Sequence, residues 1–266
     1  MGGSVLSEGI PYTWDEGLII LASVMVLLVL VILISIWRKI GIAKEYTYAM
    51  IKGGSQLAFT ALLLNFLFDF EYWYLPIWIL IGAMAIIGGY TSARRASRMP
   101  NAHRITTPSI MAGGSLVLVV LALTRAMPLR PQFIIPLAGM AFGNSMTICS
   151  LALNRLIREF ETNRPALETM LSLGAGPKDA MEQYARMSVK AALIPNIDSL
   201  KTLGIIFIPG AMAGLLIAGT NPILAAEYQI IVYLMIVGGG VITSLMVVTL
   251  ARKLLFTRSM QLSDWV

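Results

Sequence analysis

Residues 17–37 read GLIILASVMVLLVLVILISIW, a run without one charged side chain. A helix rises 1.5 Å per residue, so about 20 such residues cross the roughly 30 Å hydrocarbon core of a bilayer. Working outward from this run, comparable stretches follow at 47–68, 74–93, 106–126, 132–154, 191–219 and 228–251. The reading is an all-α polytopic membrane protein with about seven transmembrane helices, forming a single transmembrane domain over 1–266. The second stretch is the least apolar, with Lys52, Gln56 and Asn65. The sixth is long and interrupted by Pro195, Asp198, Lys201, Pro209 and Gly210.

Composition agrees. Hydrophobic residues make up 57% of the chain and charged residues 13%, against about 25% charged in an ordinary soluble domain. The alternating ten-residue segments of a membrane barrel are absent. The net charge of +6 is a topology signal rather than a nucleic-acid footprint, because the cations gather in loops on one side. A single cysteine, Cys149, rules out a disulfide framework or a Cys-based metal centre. The stretch Met1–Glu16 lacks a basic leader and carries Glu8, Asp15 and Glu16, so no cleavable signal is expected.

Orientation follows from Lys and Arg near span ends. Arg38, Lys39 and Lys44; Arg94, Arg95, Arg98 and Arg104; Arg155, Arg158, Arg164, Lys178, Arg186 and Lys190; and Arg252, Lys253 and Arg258 all fall on one side if the spans number seven. That side is expected to be cytoplasmic, with the N-terminus outside and the C-terminus inside. Asp15, Glu16, Asp69, Glu71 and Glu227 fall opposite, and Arg125 and Arg130 are the exceptions. Trp14, Trp37, Tyr72, Trp73, Tyr74 and Trp78 lie near span ends, where amphipathic rings anchor at the headgroups. The expected location is the cell inner (plasma) membrane.

Between spans five and six the chain leaves the bilayer over 155–190. Residues 155–172 read as a helix with Leu156, Phe160, Leu167, Leu171 and Leu173 spaced among charges. Gly174 and Gly176 end it and turn the chain. Pro177 suits the first turn of a second helix, where its missing N–H is not needed. That helix runs from Lys178 to about Lys190. Two readings stay open on the residues alone: a plain interfacial hairpin, or a docking element for a soluble partner.

A resemblance bears on that choice. Glu168 to Gly174 has the E-x-x-x-x-x-G spacing of the loop by which bacterial ABC-importer permeases contact their ATP-binding subunits, with Thr169 and Met170 where that motif has alanines. A closer likeness lies elsewhere. Leu171-Ser-Leu-Gly-Ala-Gly-Pro-Lys178, Ile135-Pro-Leu-Ala-Gly-Met-Ala-Phe-Gly-Asn-Ser-Met146 and Ala191-Ala-Leu-Ile-Pro-Asn-Ile-Asp-Ser-Leu-Lys-Thr-Leu-Gly204 resemble the FetB family of ABC permeases. So do Pro209-Gly-Ala-Met-Ala-Gly214, Gly219-Thr-Asn-Pro222 and Tyr228-Gln229. The resemblance covers about residues 20–258. Bacterial members of that family are associated with iron export and plant relatives with aluminium resistance. The resemblance implies that Glu168, Leu171, Leu173, Gly174, Ala175 and Pro177 couple to an ATPase subunit.

Polar groups within a span are costly and usually face a bundle interior or water. Lys52, Ser55 and Gln56 share one helix face. Asn144, Ser145 and Thr147 follow the small-residue positions Gly139 and Gly143. Asn196, Asp198 and Lys201 lie early in the sixth span. As a translocation route, these would combine Lys52, Gln56, Asn144, Asn196 and a hard oxygen ligand from Asp198 with softer thioethers of Met140, Met146 and Met212. The plainer reading pairs Asp198 with Lys201 and assigns Gly139 with Gly143, and Gly210 with Gly214, to close helix packing. His103 is the only histidine and cannot build a metal site alone, so any metal contact is shared between subunits or transient.

No G-x-x-x-x-G-K-[ST] phosphate loop occurs. The expected protein is therefore not itself an ATPase and binds no cofactor of its own. Two copies of an ATP-binding subunit would carry ATP and Mg. Two copies of this chain would form the pathway, and iron or another metal cation would be exported. An organic solute such as a nucleotide sugar, or an ATP-independent carrier, is the alternative. An intramembrane enzyme is disfavoured, because no histidine lies in any span.

Overall fold

The computed structural model describes residues 13–68, 74–96, 99–126, 128–257 and 261–262. Glu8, Asp69, Glu71, Tyr72, Trp73, Arg98 and Arg258, and the side chains of Trp14 and Tyr74, lie outside the described residues. The described residues fall into two compact units, divided between residues 71 and 72.

The first unit is a helical hairpin of α1 (Trp14–Trp37) and α2 (Ala43–Phe68). The Glu16 carboxylate accepts from the Thr13 backbone N–H at 2.8 Å and closes a capping box at the start of α1. Lys39, at φ +52°, ends it: the Lys39 N–H donates to Ile36 and the Ile40 N–H to Ser35. Nearly every side chain on both helices is exposed in the chain alone, which suits lipid as solvent. Lys52, Ser55 and Gln56 all lie exposed on α2.

The second unit contains α3 (Tyr74–Arg95), α4 (His103–Leu123), α5 (Pro131–Thr162), α6 (Arg164–Ser172), α7 (Pro177–Thr202), α8 (Gly210–Ile217) and α9 (Pro222–Leu254). The long helices α5 and α9 form its axis; α4 and α7 pack on both, and α3 packs on α4 and α5. Lipid supplies no hydrophobic drive between helices, so close approach at small residues does the work. A Cβ at Gly113 of α4 would land on Thr243 Oγ1 and the Gly239 carbonyl of α9. Side-chain hydrogen bonds pin the neighbours: Thr106 Oγ1 donates to the Gly89 carbonyl at 2.7 Å, and Ser150 Oγ to Ser92 Oγ at 3.1 Å.

The protein is thus an all-α polytopic membrane protein, as its sequence leads one to expect. Among the described residues, six helices are long and apolar enough to cross a membrane: α1 to α5 and α9. The expected sixth span, 191–219, read from the sequence as long and interrupted, is not one helix. The front of α7 and its apolar end form a single rod to Thr202; the helix stops there and resumes as α8. The separate helix expected over 178–190 is therefore the first half of α7. The helix expected over 155–172 also divides, because Pro165 has no N–H for a continuing ladder and clashes with the carbonyl four residues back. Instead α5 runs on to Thr162, and Asn163 bridges to α6 by donating its side-chain amide to the Glu159 carbonyl at 2.8 Å.

Candidate functional site

Asn144 of α5, Asn196 of α7 and Gly240 of α9 meet at one level of the bundle. A Cβ on Gly240 would sit 3.2 Å from Asn144 Nδ2 and 3.3 Å from Asn196 Nδ2, so the absent side chain is what lets two amides converge there. Asn144 Nδ2 donates to the Ile236 carbonyl at 2.9 Å and ties α5 to α9. Ser145 and Thr243 are fully buried on the neighbouring face toward α4, by Gly239 and Gly113 respectively. Among the described residues, Ser145 Oγ, Asn196 Nδ2 and Thr243 Oγ1 have no hydrogen-bond partner. A buried polar atom left unpaired costs about 1–3 kcal/mol, so the Asn196 amide gives the Asn144–Asn196 node unused hydrogen-bonding capacity.

Just beyond the node the α7 rod ends. Asn196 to Thr202 is about 9 Å of helix. Over that last stretch Lys201 Nζ lies 3.2 Å from Asp198 Oδ1, with both side chains mostly exposed, and Thr202 Oγ1 donates to the Asp198 carbonyl. Gly204, at φ +81°, turns the chain and donates its N–H to the Phe207 carbonyl at 3.0 Å. Ile205 and Ile206 are 89% and 81% exposed. Pro209 then starts α8, whose orphan Met212 N–H is taken by Gln229 Oε1 of α9 at 3.1 Å. Gln229 is buried. Gln229 stands about 16 Å along α9 from Gly240, so α7, the 203–209 break and α8 climb the bundle together. The arrangement is a discontinuous helix; helices broken in this way frame substrate sites in transporters where they lie within a membrane.

The opposite end of α7 carries the expected coupling residues. Leu167 is buried and anchors α6, while Leu173 is 82% exposed. Gly174 adopts φ +90° and closes a Schellman motif: its N–H donates to the Leu171 carbonyl, and the Ala175 N–H to that of Met170, each at 3.0 Å. Glu168 is exposed and paired with Arg164 at 3.2 Å. Leu171 and Ala175 are half-buried, and Pro177 is the first residue of α7. The rod is fastened to α9 where Arg252 meets Glu182 at 2.7 Å; Arg186 meets the other Glu182 oxygen at 2.9 Å. Arg186, and after it Arg252, hold the Glu182 carboxyl below the usual glutamate range. Phe160 packs edge-on against Phe256, joining the same ends of α5 and α9. α7 runs as one helix from the Pro177 turn to the node, with Pro195 inside it just before Asn196.

Of the candidate route residues, the structure brings Asn144 and Asn196 together. Asp198 and Lys201 sit about half a turn and about one and a half turns beyond, paired with each other. Met146 faces Gly88 of α3 instead of the node. Met140 is half-buried, and Met212 meets Gln229 through its backbone. Lys52 and Gln56 belong to the first unit. Sequence reasoning did not single out Thr243, Gly240 or Gln229. A Gly238-Gly239-Gly240 run inside an apolar helix, and a lone glutamine about two turns into it, are the signals that mark them. Among the described residues no three His, Cys, Asp or Glu side chains gather closely enough to hold a metal ion.

The family model described as "Uncharacterised protein family (UPF0014)" matches residues 18–256. The chain belongs to the UPF0014 family. It is 34% identical to the "UPF0014 membrane protein STAR2" of rice, over 98% of this chain and 92% of that protein. It is 31% identical to "Protein ALUMINUM SENSITIVE 3" of Arabidopsis thaliana, over 94% of this chain and 92% of the relative. It is 30% identical to the "Probable iron export permease protein FetB" of Escherichia coli, over 91% and 93% of the two chains. No solved structure matches significantly. This UPF0014 member is a multi-pass membrane protein, and the resemblance drawn from its motifs stands.

Proposed function

We propose that this UPF0014 protein is the membrane permease subunit of an ABC transporter, exporting a metal cation, iron foremost, with energy from a separate ATP-binding subunit. The observation that carries this reading is the continuous α7 rod. It joins an exposed Leu173–Gly174 turn at the basic end to the Asn196 node and the broken span beyond it. With the basic end cytoplasmic, the turn faces an ATP-binding subunit. ATP-driven closure of two such subunits pulls on α6, α7 moves as a lever, and the α5–α7–α9 contact opens or shuts. Two copies of this chain supply the two halves of the pathway. The name of the Escherichia coli relative supports iron as cargo.

The cargo makes weak, sequential contacts in this scheme. Conduction requires sites that bind and release. Asn144, Asn196, Ser145 and Thr243 offer neutral oxygens, and Asp198 offers one hard anionic oxygen near the break. The neutral, donor-bearing make-up of the node favours one competing reading, an organic solute such as a nucleotide sugar. The discriminating test is ATPase activity of this chain co-purified with its ATP-binding subunit in lipid nanodiscs, titrated with ferrous iron and separately with UDP-sugars. Stimulation by iron alone supports metal export. Stimulation by the sugars alone keeps the permease and replaces the cargo. No association with an ATP-binding subunit overturns the permease reading itself and leaves an ATP-independent carrier.

A further inference from the structure

Between α7 and α9, near the basic end, lies a cavity of about 380 Å³, within the range of ligand-sized sites. Its mouth and its depth differ in chemistry. The mouth is set by Glu182, Arg186 and Lys190 of α7 and Arg252 of α9; the depth is walled by Leu193, Ile197, Leu245 and Val248. From Arg186 to Ile197 the α7 wall runs about 16 Å toward the middle of the bundle.

Glu182 organises the mouth. One carboxylate oxygen accepts from Arg186 Nε at 2.9 Å and the other from an Arg252 terminal nitrogen at 2.7 Å. Each guanidinium thus spends one donor on Glu182 and keeps others. Arg252 is largely buried, with 17% of its side chain exposed, so its charge is screened little by water. With Lys190, three cations face one carboxylate. The excess is positive, the geometry suits bidentate recognition of a phosphate, and an apolar channel continues directly below it.

We propose that this groove is a binding site for one anionic phospholipid, its phosphate held at the Arg186–Lys190–Arg252 mouth and one acyl chain laid between Leu193, Ile197 and Leu245. Charge complementarity selects an anionic headgroup, and the apolar depth selects a lipid over free phosphate. Basic pockets between membrane helices recognise such headgroups elsewhere. The bound lipid would brace α7 against α9 along the segment that links the Leu173 turn to Asn196, so anionic lipid sets how stiffly that rod is held. The proposal does not depend on the identity of the cargo or on an ATP-binding partner.

The test uses the full chain in nanodiscs of phosphatidylcholine, with and without added phosphatidylglycerol, reading the thermal unfolding midpoint and the lipids retained in native mass spectrometry. Phosphatidylglycerol is expected to raise the midpoint and to leave one retained anionic lipid per chain. R186Q/K190Q removes the charge at the mouth, and L245W fills the depth at a position 52% exposed. Both are expected to lose the rise and the retained lipid, while K178Q, on the same helix outside the groove, keeps them. A rise that survives L245W marks bulk surface attraction and overturns the site. A rise reproduced by inorganic phosphate overturns the lipid assignment. A change in oligomeric state with L245W, without loss of retained lipid, assigns the groove to a second copy of the chain and overturns the proposal.

Discussion

Gly240→Ala and Gly113→Ala separate the node from simple packing. Both are mid-helix glycines, so both gain about 1 kcal/mol of helix propensity as alanine. Their surroundings differ. At Gly240 the new methyl meets two amide nitrogens at 3.2 and 3.3 Å and Ile148 Cγ1 at 3.4 Å. Those side chains give by a few tenths of an ångström, at the expense of the Asn144–Ile236 hydrogen bond, worth about 0.5–1.5 kcal/mol. Gain and loss nearly cancel, so stability should move by less than about 1 kcal/mol. At Gly113 the methyl lands on the Gly239 backbone carbonyl and on Thr243. Backbone cannot rotate away, so α4 and α9 must separate, an overpacking cost of about 1–3 kcal/mol. A net loss of up to about 2 kcal/mol lowers the melting temperature by up to roughly 8 °C for a chain of this size. The assay is thermal unfolding in nanodiscs, paired with cargo-stimulated ATPase of the assembled transporter. G240A should keep its melting temperature within about 4 °C and lose most of the stimulation. If G240A loses stability as G113A does, or keeps full stimulation, the node is packing and nothing more.

Leu173→Asp should uncouple ATP hydrolysis from this subunit without lowering thermal stability, since the side chain is 82% exposed; Gly174→Pro should uncouple too, because proline cannot adopt φ +90°. Unchanged ATPase and partner binding in both variants would remove the docking assignment. Asp198→Asn breaks an exposed ion pair worth at most about 1 kcal/mol, so assembly should persist while transport falls; full transport leaves the pair a purely structural one. Gln229→Leu strips the acceptor from the Met212 N–H and should cost about 0.5–2 kcal/mol, as loss of a helix cap does. Hydrogen exchange at residues 210–213 should quicken, and unchanged protection there refutes the capping role.

Much of the fold is legible in the sequence because lipid imposes a length. Residues 17–37 can satisfy their backbone only as a helix, and the same holds for 106–126. The Gly174 turn is legible because a left-handed residue after an amphipathic segment calls for glycine. The break at 203–209 is legible only in part: Pro209 and Gly210 mark its far end, while Leu203, Ile205, Ile206 and Ile208 are as apolar as any helix around them. Its physical causes are local: Gly204 turns the chain, and Pro209 biases Ile208 away from helical backbone. Pro165 gives the α5–α6 break by the same steric logic. Asn144 and Asn196 stand out as amides in lipid-length runs. Their meeting at Gly240 has no spacing signature, because α5, α7 and α9 supply the parts and Asn144 lies 92 residues from its partner Ile236.

The central claim is that ATP hydrolysis at one end of the α7 rod moves a metal cation past its other end. It is tested most directly by ATP-driven movement of ferrous iron across proteoliposomes holding this chain and its ATP-binding subunit, with wild type and L173D side by side. The account predicts iron movement that needs ATP and vanishes in L173D, although L173D remains folded. Iron movement that is equal in both, or none in wild type while another solute moves, contradicts it.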